Sequence, residues 1–280
     1  MRQIIFIGDF FIEDLLGGAE INDDTLINMF IKEGMLYEKI HSHKVTKNYL
    51  LEHKDKLFVL TNCVRLKPEL TPVLALMDYV IYEHDYKFIK SRNPAFYPNF
   101  EVPKSEIINY NFYANAKSVV CLAKMHRDIF EKNLDIDNIT NIHCSLFDDK
   151  KLDLLLSLGS HEKTKDYAII KTNNPTKRMH DTIRWCNTKG IDFDLISHKD
   201  NTEFLKLLAQ YKNLVFMTRH PEPTPRIAVE AKLLDVNLIA SKKMISVAHE
   251  YWWEWEREEI ARELKKIRQG ALEMFKGFAE

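Results

Sequence analysis

Glycine is scarce in this chain. Only eight of 280 residues are glycine, about 3% where ~7% is usual. No Gly-x-Gly-x-x-Gly occurs, which excludes that dinucleotide fingerprint, and no Gly-Lys-Ser/Thr occurs, which excludes a P-loop. The four cysteines, Cys63, Cys121, Cys144 and Cys186, are far apart with no Cys-x-x-Cys pair. That spacing argues against a cysteine zinc site and suits a reducing compartment. No apolar run approaches the ~18 residues that a membrane-spanning helix needs. A formal net charge of −1 and a pI of about 6.8 supply no strong field for nucleic acid. The first apolar run, Ile4-Ile-Phe-Ile7, is short and lacks a cleavage signature, so it reads as a strand and not a leader. A cytoplasmic protein is expected.

What is present is globular: 45% hydrophobic and 29% charged residues. Strand patterns at residues 3–7, 39–45, 57–60, 79–82, 118–122 and 139–144 alternate with helical stretches at 23–33, 47–54, 70–77 and 125–133. Short apolar strands separated by helices imply a parallel sheet covered on both faces. A charged helical stretch at 148–165 forms a junction. A second, smaller alternation follows, with strands at 167–171, 193–197, 214–218 and 237–240 and helices at 176–188, 202–211 and 226–234. Two doubly wound α/β domains are expected, at 1–148 and 149–245. A proline-free tail, 246–280, follows, in which Ile260, Leu264, Ile267, Ala271, Met274 and Phe278 recur at helical spacing. Trp252, Trp253 and Trp255 cluster at the start of that tail, and core packing is the expectation for them.

The most informative stretch runs from Glu222 to Ser241. Glu222-Pro-Thr-Pro-Arg-Ile-Ala-Val-Glu230 follows the strand pattern Leu214-Val-Phe-Met-Thr218. Ala231 and then Asn237-Leu-Ile-Ala-Ser241 come after it. The prolines suit the first turn of a helix. One carboxylate therefore lies in a strand-to-helix loop and the other about two turns into the helix, at the carboxyl end of a parallel sheet where ligands bind.

This segment resembles the donor-site motif of glycosyl transferases group 1, the retaining GT-B enzymes of family 4: a glutamate, seven residues, then Glu-Ala and a hydrophobic strand. The resemblance implies the GT-B fold, two Rossmann-like domains facing across a cleft with the terminal helix returning to the first. It implies transfer of a hexose from a nucleotide diphospho-sugar to an acceptor hydroxyl, with retention and without a metal. The nucleotide sugar is then a substrate, and no cofactor is needed. Glu222 would contact the donor sugar and Glu230 the ribose diol. The family usually has Phe-Gly where this chain has Thr224-Pro225. Proline removes a backbone N–H there, leaving Thr224, Arg226 and Ile227 as donors at the helix start.

Other constellations fit the same scheme. Gly17-Gly18-Ala19-Glu20 corresponds to a Gly-Gly loop of the family, with Gly17 and Gly18 on the donor and Glu20 toward the acceptor. His84 and Asp85 end the fourth strand. His84 would donate to a sugar hydroxyl, while Asp85 would fix its tautomer or hold an acceptor hydroxyl. Arg92 would reach an acidic group on the acceptor, which is an unspecified glycan, lipid or small molecule. After the strand at 167–171, relatives carry an arginine and then a lysine on the donor diphosphate. Asn173 stands at the arginine position, and Lys177 or Arg178 at the lysine position. Asp135-Ile-Asp137 and Asp192-Phe-Asp194 match a metal-binding pattern of the other large glycosyltransferase fold but lie before or at strand starts, so both read as structural. His41 and His43 read as two residues on one strand face without a third metal ligand. Asn173, Pro225 and the small second domain keep a second reading open, a nucleotide-sugar-binding protein on a degenerate frame. An epimerase or phosphorylase on the same fold is a third.

Overall fold

A computed structural model describes residues 2–280. The chain forms two compact units, Met1–Leu146 with Lys266–Glu280, and Phe147–Lys265.

The first unit runs β1 (Ile4–Gly8), α1 (Gly18–Lys32), β2 (Leu36–His41), α2 (Lys47–Glu52), β3 (Leu57–Leu60), α3 (Thr71–Leu74), β4 (Tyr79–Tyr82), α4 (Tyr110–Ala114), β5 (Ser118–Cys121), α5 (Lys124–Asn133) and β6 (Ile139–Asn141). Its sheet has the order β2-β1-β3-β4-β5-β6, with every pair parallel. Because side chains alternate across a strand, the central strands feed two cores. Ile5, Ile7, Phe58, Leu60, Ile81 and Val119 pack with Leu50, Leu74, Phe112 and Phe130 from α2, α3, α4 and α5. Ile4, Phe6, Val59, Val80, Tyr82 and Val120 pack with Leu26 and Phe30 of α1, and with Ala271, Leu272 and Phe275 near the C-terminus.

The second unit runs α6 (Asp149–Gly159), β7 (Lys165–Ile170), α7 (Met179–Lys189), β8 (Asp194–Ile196), α8 (Asn201–Leu208), β9 (Tyr211–Val215), α9 (Arg226–Leu233) and β10 (Asn237–Ile239). It also contains the start of α10 (Arg257–Phe278). The sheet order is β10-β9-β7-β8, again parallel. Leu152 and Leu155 of α6, Leu205 and Leu208 of α8, and Val229 and Leu233 of α9 are fully buried. The α7 face is thinner: its buried core is Ile169, Cys186 and Val215, with partly covered residues around it.

Several boundaries differ from the sequence expectation. Helix α1 begins at Gly18, five residues before the expected 23, with Gly17 as its N-cap and Glu20 in its first turn. Glycine's low helix propensity masks such a start, although glycine is an accepted N-cap. β2 covers Leu36–His41 instead of 39–45, and residues Ser42–Lys44 form a 3-10 turn. His41 and His43 therefore do not share a strand face; their rings stack at 5.5 Å. β9 ends at Val215, not 218. The tail is not helical from 246: a 3-10 turn covers Ser246–His249 and the long helix starts at Arg257. Trp252 and Trp253 are buried, while Trp255 is exposed.

Candidate functional site

In a parallel sheet, ligands bind beyond the carboxyl ends of the strands where the strand order reverses. The reversals here fall between β1 and β3 in the first unit and between β7 and β9 in the second. Lys177, Arg178 and Glu222 follow strands β7 and β9, and Gly17, Gly18 and Glu20 follow β1.

In the second unit, a 3-10 turn at Pro175–Lys177 follows β7 and brings Lys177 to Glu222, which follows β9. The Lys177 ammonium donates to both carboxylate oxygens at 2.7 Å and lies 5.3 Å from the centre of the Phe216 ring. The Arg219 N–H donates to the Thr176 carbonyl at 2.8 Å and ties the two loops together. Glu222 is fixed through its backbone: its N–H donates to the Met244 carbonyl and its carbonyl accepts from the Ser246 N–H, both at 2.9 Å. A cation at a helix start opposes the helix dipole, and the Glu222 carboxylate offsets that cost. Arg178 takes a left-handed backbone conformation (φ 43°) and donates to Asp181 at 2.6 Å, so Lys177, not Arg178, meets Glu222. Arg178 also borders a hollow of about 440 Å³ shared with Trp185, Phe216, Thr218, Ser241 and Met244.

Glu230 lies inside α9, 5% exposed, with its carboxylate 3.3 Å from the Lys151 ammonium of α6. Thr224 is buried just before α9, and Arg226 covers the Phe147 ring at 4.0 Å. Asn173 is exposed in the loop after β7.

In the first unit, α1 begins beside the reversal point. A Cβ on Gly17 would lie 2.2 Å from a Glu20 carboxylate oxygen, so a larger residue there would displace the end of that side chain. Gly18 is the first residue of the helix. Glu20 is buried, and its carboxyl pKa is raised, chiefly by desolvation and further by Asp23, with His84 opposing. Asp23, one turn on, holds His84: its Oδ1 is 2.7 Å from Nε2, while its Oδ2 accepts from the Thr61 hydroxyl at 2.8 Å. Both members of the Asp23–His84 pair are buried. A Cβ on Gly8 would crowd the Thr61 methyl at 2.9 Å; glycine at the end of β1 thus gives Thr61 its place.

One expectation for this cluster is corrected. Asp85 does not orient the His84 ring; Asp23 does. Nε2 is engaged with Asp23, and Nδ1 is the ring nitrogen left to meet a ligand. Asp85 instead pairs with the Arg92 guanidinium and lies 3.5 Å from the Lys87 ammonium. These cations hold its carboxyl below the usual carboxylate range against the opposing effect of burial, the largest single influence. Arg92 has a left-handed backbone (φ 54°).

Glu83 organises this strand end. It is fully buried and accepts from the His84 and Asp85 N–H groups at 3.1 and 3.0 Å, from the Tyr113 hydroxyl at 2.8 Å, and from Lys87. The Lys87 pKa is raised: burial pushes it down, but Asp85 and Glu83 outweigh that. His126 accepts the Leu122 N–H on Nδ1 at 3.2 Å, so Nε2–H donates to the Asp85 carbonyl at 2.8 Å. Burial pushes its pKa down to about 3. Sequence reasoning missed Asp23, Thr61, Glu83 and His126. The acidic first turn after a glycine pair was the one available signal, and it pointed to Glu20 alone.

Among the described residues, no group of three or more His, Cys, Asp or Glu side chains could hold a metal ion. Asp194, at the start of β8, accepts from the Tyr211 hydroxyl at 2.7 Å. No helix among the described residues is long and apolar enough to cross a membrane.

No protein-family model matches the sequence, and no curated protein is significantly similar to it. Solved structures are similar in fold. HepE from Anabaena, in complex with UDP and glucose, superposes with a TM-score of 0.57 at 12% identity over 99% of this chain and 100% of that one. The lipopolysaccharide outer core galactosyltransferase WaaB, in its apo form, gives 0.57 at 9% identity over 99% and 94%. A UDP-GlcNAc 2-epimerase from Methanocaldococcus jannaschii, with UDP-GlcNAc and UDP, gives 0.50 at 10% over 96% and 93%. The chain therefore has the GT-B fold, two parallel-sheet α/β domains of six and four strands with a C-terminal helix.

Proposed function

We propose that this protein is a glycosyltransferase of the retaining group 1 type that moves a hexose from a nucleoside diphosphate sugar to an acceptor hydroxyl without a metal ion. The observation that carries the reading is the Lys177–Glu222 pair at the β7/β9 reversal point, with both carboxylate oxygens 2.7 Å from one ammonium. It joins the two residue types that the motif assigns to the diphosphate and to the transferred sugar. Negative charge grows on the leaving diphosphate as the glycosidic bond breaks. A preorganised ammonium stabilises that charge, and a metal is not required for it. The Lys177 side chain is 31% exposed, so an entering diphosphate can share it with Glu222. In a retaining reaction of this type the leaving phosphate takes the acceptor proton on the same face, and the protein contributes position and charge. In the first unit, Asp23 orients His84 and leaves its Nδ1 for a sugar hydroxyl.

A specific observation favours a second reading. Asn173 stands where relatives carry an arginine on the donor diphosphate, and Pro225 removes a backbone N–H at the helix start. A nucleotide-sugar-binding protein without turnover would tolerate that arrangement. The similarity to an epimerase structure keeps nucleotide-sugar rearrangement in view as well. One experiment separates them: incubate the protein with UDP- and GDP-sugars, with and without candidate acceptors, and measure nucleoside diphosphate release. Transfer predicts release that requires an acceptor and survives EDTA. Binding without release supports the second reading, and a changed sugar without an acceptor supports the epimerase.

A further inference from the structure

A second cavity, of about 300 Å³, opens in the first unit beyond the carboxyl ends of β3 and β4. Its walls are built. The Ile108 N–H donates to the Phe88 carbonyl at 2.8 Å and the Lys90 N–H to the Glu106 carbonyl at 3.0 Å, so residues 88–90 and 106–108 run as a short antiparallel pair along one side. The Arg92 N–H closes a turn onto the Ile89 carbonyl at 2.9 Å.

The lining is chemically divided. Lys87, Lys90 and Arg92 contribute three cations, and no Asp or Glu side chain lines the hollow. The compensating acids stand behind: Glu83, fully buried, holds Lys87; Asp85 holds Arg92; Glu106 lies 3.7 Å from the Lys90 ammonium. Leu66, Ile108 and Phe112 supply the apolar part. Val64, on the cavity edge, is 60% exposed, and its N–H is bound to Asp9 at 2.8 Å.

A half-exposed guanidinium and ammonium beside an apolar floor suit one ligand class. We propose that this cavity binds an anionic amphiphile, its phosphate or carboxylate on Arg92 and Lys90 and its apolar body on Leu66, Ile108 and Phe112. Arg92 joins the cavity to Asp85, the neighbour of His84 in sequence. Its use as the acceptor pocket rests on the glycosyl-transfer reading, whereas the ligand chemistry does not.

The test is calorimetric titration of the full chain with hexyl phosphate, hexanoate, hexanol and inorganic phosphate, in the wild type, Arg92→Gln, Lys90→Gln and the double variant. UDP is titrated in parallel. Hexyl phosphate or hexanoate is expected to bind at least about tenfold more tightly than hexanol or inorganic phosphate, and the double variant to lose about tenfold or more. The tighter of the two anions assigns the head group. Equal binding of hexanol, equal binding of inorganic phosphate, or undiminished binding by a folded double variant would overturn the proposal. The single variants keep it open to refutation if the double variant fails to fold. Loss of the amphiphile with UDP still bound counts against the cavity alone. Loss of UDP with the amphiphile bound counts against the nucleotide-sugar reading alone.

Discussion

Each unit carries a lysine–glutamate pair just past the ends of its strands, and the two pairs are built differently. In the first unit Glu83 is fully buried and saturated with donors: two backbone N–H groups, a tyrosine hydroxyl and Lys87. In the second, Glu222 places both oxygens on Lys177, whose side chain is 31% exposed. A saturated buried carboxylate has no bond to offer a ligand, so the first pair holds the fold. A partly exposed ammonium can exchange part of its partner for an incoming phosphate, so the second pair is the one that the proposed transfer would use. The same residue types near the same kind of sheet end thus differ in burial, and variants of each pair test whether they differ in work.

The largest expected effect tests the structural half of this contrast. Glu83→Gln leaves Lys87 charged and buried without its main partner, which costs about 3–5 kcal/mol. Urea unfolding of the variant measures it. Lys177→Ala should cost less, because the Glu222 side chain it leaves is 12% exposed whereas Glu83 is fully buried. If Glu83→Gln proves as mild as Lys177→Ala, the two pairs are not distinct.

The functional half comes next. Lys177→Ala should lower turnover by about 10²–10³-fold, the usual penalty for removing one preorganised donor from a developing anion. Arg178→Ala should lower it much less, because Arg178 is engaged with Asp181. Steady-state rates with the donor found by screening would show it, and an Arg178 effect as large as that of Lys177 would move the diphosphate site.

A smaller effect distinguishes the units by pH. His126 is buried and neutral, with its pKa at about 3 against 6.5 in the unfolded chain. Its contribution is fully present above pH 6.5 and is lost as pH falls toward 3, because the unfolded state then binds the extra proton. Between pH 7 and pH 5 this amounts to about 2 kcal/mol. His126→Gln should lose less stability over that interval than the wild type, and equal losses would mean that His126 is charged in the fold.

The smallest effect concerns Glu20. Its raised pKa has the opposite sign: the native state favours the protonated carboxyl, and stability falls as pH rises through the folded pKa. Glu20→Gln should therefore stabilise the protein slightly at pH 8, by at most about 2–4 °C in Tm, and not at pH 4. A lower Tm at pH 8 would show the carboxylate to be a favourable ionised group.

The strand alternation made both sheets legible, because fully buried parallel strands such as Leu57–Leu60 and Tyr79–Tyr82 are continuous apolar runs. The edge strand β2, Leu-Tyr-Glu-Lys-Ile-His, carries no such run, and its register was misplaced. The resemblance singled out Glu222 and either Lys177 or Arg178, but the Lys177–Glu222 contact spans 45 residues and follows only from β7 and β9 being neighbours. Asp23 was hidden because glycine at residues 17 and 18 discouraged an early helix start. The partner of His84 was therefore sought nearby at Asp85, when it lay 61 residues away. Local patterns report what a segment is; partner choice at a sheet end depends on strand order, which no local pattern contains.

The most direct test of the account is the affinity of the wild type and Lys177→Ala for UDP and UMP, or for GDP and GMP if the donor screen selects guanine. If Lys177 is the diphosphate cation, the wild type binds the diphosphate more tightly than the monophosphate. That preference falls by about tenfold or more in the variant, the worth of a charge-assisted hydrogen bond, while monophosphate affinity changes little. An unchanged preference in a folded Lys177→Ala protein, or a wild type that binds no nucleotide, would contradict it.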